Sequence, residues 1–75
     1  MTDTPEVTDV TTPAALGQAV RARRKQLKMT QEQLAMSSGI SAVTVGAIEN
    51  GKETARLGLV LQLCRDLGLR LRAGA

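Results

Sequence analysis

The sequence contains no histidine and only one cysteine. A single cysteine excludes an internal disulfide, and without histidine it cannot build a zinc site. No apolar run approaches the ~18 residues that suggest a membrane span. No charged segment leading into an apolar run opens the chain, so no signal peptide is expected. The lone Cys64 suits a reducing compartment, and a cytoplasmic location is expected. A glycine-rich phosphate loop is also missing. This composition cannot assemble the usual acid, base or nucleophile sets, so neither an enzyme nor a cofactor nor a metal site is expected. The absences bear on stability as well. A chain of 75 residues buries a small fraction of its surface. With disulfide and metal eliminated, association with another chain is the remaining stabiliser.

Basic residues are missing from the first thirteen positions, which carry Asp3, Glu6 and Asp9. All ten lysines and arginines lie in 14–75, against four acids (Glu32, Glu49, Glu53 and Asp66), a net charge of +6. Arg21, Arg23, Arg24, Lys25 and Lys28 crowd into eight positions. Such a face suits a polyanion; a merely solvated helix face is the alternative.

What is present is helical punctuation. Residues 1–12 show no sustained period and read as a disordered acidic tail. Thr12 can cap a first helix that has Pro13 at its first position and runs to about Lys28. Leu16, Val20, Arg24 and Leu27 share one face, with Ala19 beside them. An arginine on a core face needs a partner. Thr30 and Gln33 match a capping box that opens a second helix, and Gly39 suits its left-handed end. Ser41 caps a third helix, with Ile40 and Val45 as a hydrophobic staple, Val45 and Ile48 inward, and Gly51 as its stop. A fourth helix spans roughly Leu57 to Leu67 with Gly68 after it. There Leu57, Val60, Leu61, Cys64 and Leu67 make a core stripe. Leu59 and Leu63 fall beside it, as on a helix buried on two sides. Leu69-Arg70-Leu71-Arg72 alternates like a half-buried strand. The simplest partner for that strand is its own copy across a two-fold axis; a frayed tail with two tucked leucines is the alternative. Leu59, Leu63, Leu69 and Leu71 are therefore the expected dimer contacts.

Thr30 to Gly51 reads as two short capped helices joined by a tight turn, the layout in which the second helix enters the major groove. Thr30-Gln31-x-x-Leu34-Ala35, Gly39-Ile40-Ser41 and Ile48-Glu49-Asn50-Gly51-Lys52 resemble the Xre/Cro-type helix-turn-helix family over residues 14–68. The continuation to Leu71, ending LGLRLR, resembles HipB-type antitoxins, in which a short strand pairs across the dimer. The fold implied is all-α. Four to five helices form a lambda-repressor-like domain over 13–68, with a short strand and tail over 69–75.

The resemblance assigns roles. Gln31 matches the family's phosphate-contacting glutamine, consistent with the anion affinity of a helix N-terminus; a solvated first-turn residue is the alternative. Lys52 is a further phosphate candidate, setting register without reading sequence. The outward face of the third helix is Ala42, Val43, Gly46 and Ala47, with Ser41 and Thr44 at its edges. It departs from the family pattern in having no long polar side chain. Readout would come from Val43 or Ala42 against thymine methyls and from the Ser41 or Thr44 hydroxyls. Otherwise the face has lost its reading function. An arginine matching Arg24 pairs in many relatives with the glutamate matching Glu49, which implies a largely buried ion pair. Cys64 reads as a small hydrophobe, a redox-sensing thiol being the alternative.

The function expected is a dimeric repressor on a palindromic double-stranded operator, in the subtype implied by HipB an antitoxin whose partner is a HipA-like kinase. A free-standing repressor and a protein-interaction module with weak DNA binding are the competing readings.

Overall fold

The computed structural model describes residues 7–8 and 10–72. The expected disorder of 1–12 falls largely on residues outside that set. Thr12 opens α1 (Pro13–Gln26), its hydroxyl accepting from the Ala15 amide at 3.0 Å with Pro13 at the first turn. Thr30 opens α2 (Gln31–Ser38) through a reciprocal box. Its hydroxyl accepts from the Gln33 amide, and the Gln33 side chain accepts from the Thr30 amide at 2.8 Å. Gly39 closes α2 at φ 73°, a left-handed position where a Cβ is costly. Ser41 opens α3 (Ala42–Glu49), and α4 (Leu57–Leu67) ends at Gly68 in the same left-handed conformation. These four helices are the ones the capping residues predict.

The end of α1 differs from expectation. The helix stops at Gln26, Leu27 caps it half-exposed rather than joining the core, and Lys28 is left-handed at φ 61°. A lysine there carries a steric cost that glycine avoids. Lys28→Gly is therefore expected to stabilise the fold by about 1 kcal/mol, read as a higher urea midpoint at unchanged slope.

Helix α3 lies against both α1 and α2, and α4 closes the other side against the same two helices. Val20, Leu34, Ala35, Val45, Ile48, Val60, Leu63, Cys64, Leu67 and Leu69 form one core. On α4 the expected core residues Val60, Cys64 and Leu67 are buried, but the flanks of that stripe differ from the sequence reading. Leu57 and Leu61 are 68% and 40% exposed, whereas Leu63, expected at a dimer interface, is fully buried. Leu69, expected there too, is also buried in the chain's own core, so neither is available to a second subunit. The physical reason is that α4 is apolar on both flanks of that stripe, and polar contacts choose which flank is covered. The Ser38 hydroxyl donates to Asp66 Oδ2 at 2.7 Å, Gln62 donates to the Ser38 carbonyl, and Arg23 Nε donates to the Leu67 carbonyl at 2.8 Å. Those three bonds turn Val60, Leu63, Cys64 and Leu67 inward.

The C-terminal alternation does form a strand, β2 (Arg70–Leu71), but its partner is unexpected. β1 (Val7–Thr8) pairs with it in parallel, Val7 opposite Arg70 and Thr8 opposite Leu71. The sheet whose simplest partner strand was expected from a second copy is thus begun within one chain, by residues assigned to a disordered tail.

Candidate nucleic-acid interface

The geometry of α3 follows from its two faces. Val45 and Ile48 fix it to the core. The Ser41 hydroxyl accepts from the Thr44 amide at 3.1 Å and shares a 2.9 Å hydrogen bond with the Thr44 hydroxyl. On the far side Val43 stands 82% exposed, the most prominent apolar group on the helix. Gly46 and Ala47 beside it are half-buried. Ala42, expected on the outward face, instead packs partly against the core. Val45 follows it at i+3, which places it on the flank that turns inward.

Gly46 is not required by the chain's own packing. A Cβ built there would meet only the Gln31 side chain, at an ordinary 3.6 Å or more. Gly17 is the opposite case. Its Cβ would stand 2.6 Å from the Glu49 carbonyl oxygen and closer still to that of Ile48, so α1 and α3 touch backbone to backbone at this point. Nothing in the sequence reading singled out Gly17.

A charged network joins this interface to the core. Arg24 and Glu49 are 7% and 6% exposed. The guanidinium is bidentate on the carboxylate, Nε to Oε2 at 2.7 Å and Nη2 to Oε1 at 3.1 Å, and its Nη1 donates to the Met29 carbonyl at 2.7 Å. The pair ties α1 to α3 and pins the α1–α2 turn. Burial alone pushes the Glu49 carboxyl up. Hydrogen bonds from Arg24 and Gln31 and the charges of Arg24 and Arg21 outweigh it, holding the carboxyl below the usual glutamate range. Gln31 belongs to this network, its Nε2 donating to Glu49 Oε1 at 3.0 Å. That uses one of the two amide hydrogens. Gln31 is thus half-buried and held against Glu49.

The basic cluster divides. Arg23 and Arg24 are committed to Leu67 and Glu49, while Arg21, Lys25 and Lys28 are exposed. Three cations, not five, therefore face solvent there. Lys52 is exposed just past Gly51, whose φ of 82° turns the chain out of α3. Cys64 is buried and its thiol is pushed up by that burial, which disfavours the thiolate a redox sensor needs.

A helix-turn-helix family model matches residues 20–73, most of the chain. The chain belongs to the Xre-type helix-turn-helix family. The family and its relatives are DNA-binding regulators, not enzymes. Among the relatives is y4mF, an HTH-type transcriptional regulator of Sinorhizobium fredii, 39% identical over 59 residues, 79% of this chain and 78% of the relative. An HTH-type transcriptional regulator of Methanothermobacter thermautotrophicus is 39% identical over 49 residues, 65% of this chain and 71% of the relative. Among solved structures, the chain resembles one from the HipA-HipB-O2-O3 complex with TM-score 0.80 and 25% identity, covering 91% of this chain and 96% of that one. A HipB-O4 20mer complex matches with the same score, identity and coverage. This helix-turn-helix regulator is accordingly HipB-like in fold, with α2 and α3 as the two helices of the motif. Among the described residues no helix is long and apolar enough to cross a membrane.

Proposed function

We propose that this regulator is a cytoplasmic, dimeric operator-binding repressor that acts as the antitoxin of a HipBA-like pair, repressing its own operon and binding a HipA-like kinase. The observation that carries the DNA-binding part is α3 itself. It is capped, anchored by Val45 and Ile48, and free of its own subunit along the Val43 side. Two copies would place two such helices in successive major grooves ~34 Å apart on a palindromic site. Gln31 and Lys52 would contact phosphates, Gln31 through the amide hydrogen not given to Glu49. Val43, Gly46 and Ala47, edged by Ser41 and Thr44, would face the bases.

The dimer contact is revised from the sequence reading. The exposed leucines of α4, Leu57 and Leu61, with half-buried Leu59 and the exposed Leu71, take the place of Leu63 and Leu69. β1 occupies one edge of β2, which leaves the opposite edge for a second copy. The antitoxin role draws support from the likeness to HipB in a complex with HipA. A free-standing repressor is the second reading, favoured by curated relatives that are described only as transcriptional regulators.

The test is affinity against salt on the DNA upstream of the protein's own gene. Each phosphate contact adds about 0.9 to the slope of log affinity against log salt. Lys52→Ala is expected to reduce that slope by about 1 while weakening all duplexes alike. A weak, flat response to any duplex would instead favour the interaction module.

A further inference from the structure

We infer that this regulator reads its site through thymine 5-methyl groups, with Val43 as the specificity-determining side chain and the shallow surface at Gly46 and Ala47 as the seat for the methyl. The inference rests on α3 being the DNA-reading helix, and narrows what that helix can distinguish. The hydrogen-bonding groups on the outward face are short and partly engaged. Ser41 and Thr44 bond each other, and Ser41 also accepts from the Thr44 amide, which leaves one hydroxyl hydrogen of the pair for a neighbour. Ala42 leans on the core. Gln31 holds Glu49. No long donor or acceptor projects from α3 to make the bidentate pairs that distinguish guanine or adenine.

An apolar group remains where a polar one would ordinarily read. Val43 is 82% exposed, and its β-branched side chain is stiff, so it presents one fixed surface. Gly46 and Ala47 follow at i+3 and i+4 and therefore lie beside Val43 on the same face. The fold does not require the glycine, since an added Cβ meets only the Gln31 side chain at ordinary contact. Its absent side chain leaves room for a group from outside, and in the major groove the only apolar group on a base edge is the thymine methyl. Cytosine, guanine and adenine present none. Uracil differs from thymine by that methyl alone.

The experiment uses the full chain. A duplex is selected by the protein from a randomised 20-base-pair library, then remade with uracil replacing thymine at each position in turn. Loss of one buried methyl is expected to weaken binding roughly four-fold at the contacted positions and not elsewhere. Restoring a methyl as 5-methylcytosine in a cytosine-substituted duplex should recover part of the loss. Val43→Ala, an exposed substitution that leaves the core intact, should shrink the uracil effect to near unity, and Gly46→Ala should weaken the thymine duplex while leaving the uracil duplex less affected. If a sequence is selected but uracil is tolerated everywhere, the methyl inference fails while the regulator reading stands. An undiminished uracil effect in Val43→Ala also overturns it, because the methyls would then act through duplex shape. If no sequence is selected, the regulator reading itself fails.

Discussion

Arg24→Ala is expected to lower stability by about 3–5 kcal/mol, the range typical of breaking a buried ion pair from one side. The reason lies in what is left behind. Glu49 keeps its buried charge with the Gln31 amide hydrogen bond and the charge of Arg21 to answer it, and the Met29 carbonyl loses its guanidinium donor. Small domains are stable by about 5–15 kcal/mol, so such a loss removes a large share. Urea denaturation at fixed protein concentration, which also holds any association constant, reads it directly. Replacing both partners with apolar residues, Arg24→Met with Glu49→Leu, should recover most of the loss, since no charge is then stranded. If the double variant is as unstable as the single one, the pair matters through something other than its charge. The same network sets acid sensitivity. The Glu49 carboxyl is held below its ordinary value in the folded chain. Its contribution is therefore complete above the unfolded glutamate pKa of about 4.3 and is lost as pH falls through the lower folded value. Glu49→Gln should flatten that segment of the stability-versus-pH curve.

Gly17→Ala is expected to cost about 3 kcal/mol, the upper end of overpacking. A methyl at this position meets the carbonyl oxygens of Ile48 and Glu49. Those atoms are backbone and cannot swing aside as a side chain would, so α1 must move away from α3. The movement would also stretch the Arg24–Glu49 bonds that span the same pair of helices. Thermal unfolding should therefore show a drop of many degrees, well beyond what an exposed helical glycine gives. A stable Gly17→Ala variant would mean that the two helices approach less closely than described. The helical-propensity gain of alanine, about 1 kcal/mol, acts in the opposite direction and is too small to offset the clash.

These two positions mark the difference between what was legible in the sequence and what was not. Caps were legible because each is a short local pattern: Thr12 before Pro13, Thr30 with Gln33, Ser41 before an apolar helix, Gly39 and Gly68 after one. Arg24 was legible as a core-face arginine that needs a partner, and the resemblance to the Xre/Cro-type family supplied Glu49 as that partner. Gly17 carried no such mark. A glycine inside a helix is merely tolerated until the partner backbone that excludes a Cβ is in view, and that partner is more than thirty residues away. The roll of α4 was ambiguous for a related reason. Leu57 and Leu61 flank Val60, Cys64 and Leu67 on one side and Leu63 flanks them on the other, and the choice between flanks was made by Ser38, Asp66, Gln62 and Arg23 across elements. The pairing of Val7–Thr8 with Arg70–Leu71 joins the two ends of the chain, and no local signal links them.

The plainness of the outward side of α3 has a consequence for the thermodynamics of association. Ordering a long lysine, arginine or glutamine at an interface forfeits roughly 1.5–2 kcal/mol of rotamer freedom, whereas alanine and glycine forfeit none. Valine, with its restricted χ1, has little left to surrender. A duplex docking on this helix would meet a face whose shape is already settled, so the side-chain ordering penalty would fall on Lys52 and Gln31 at its margins and not on the face itself.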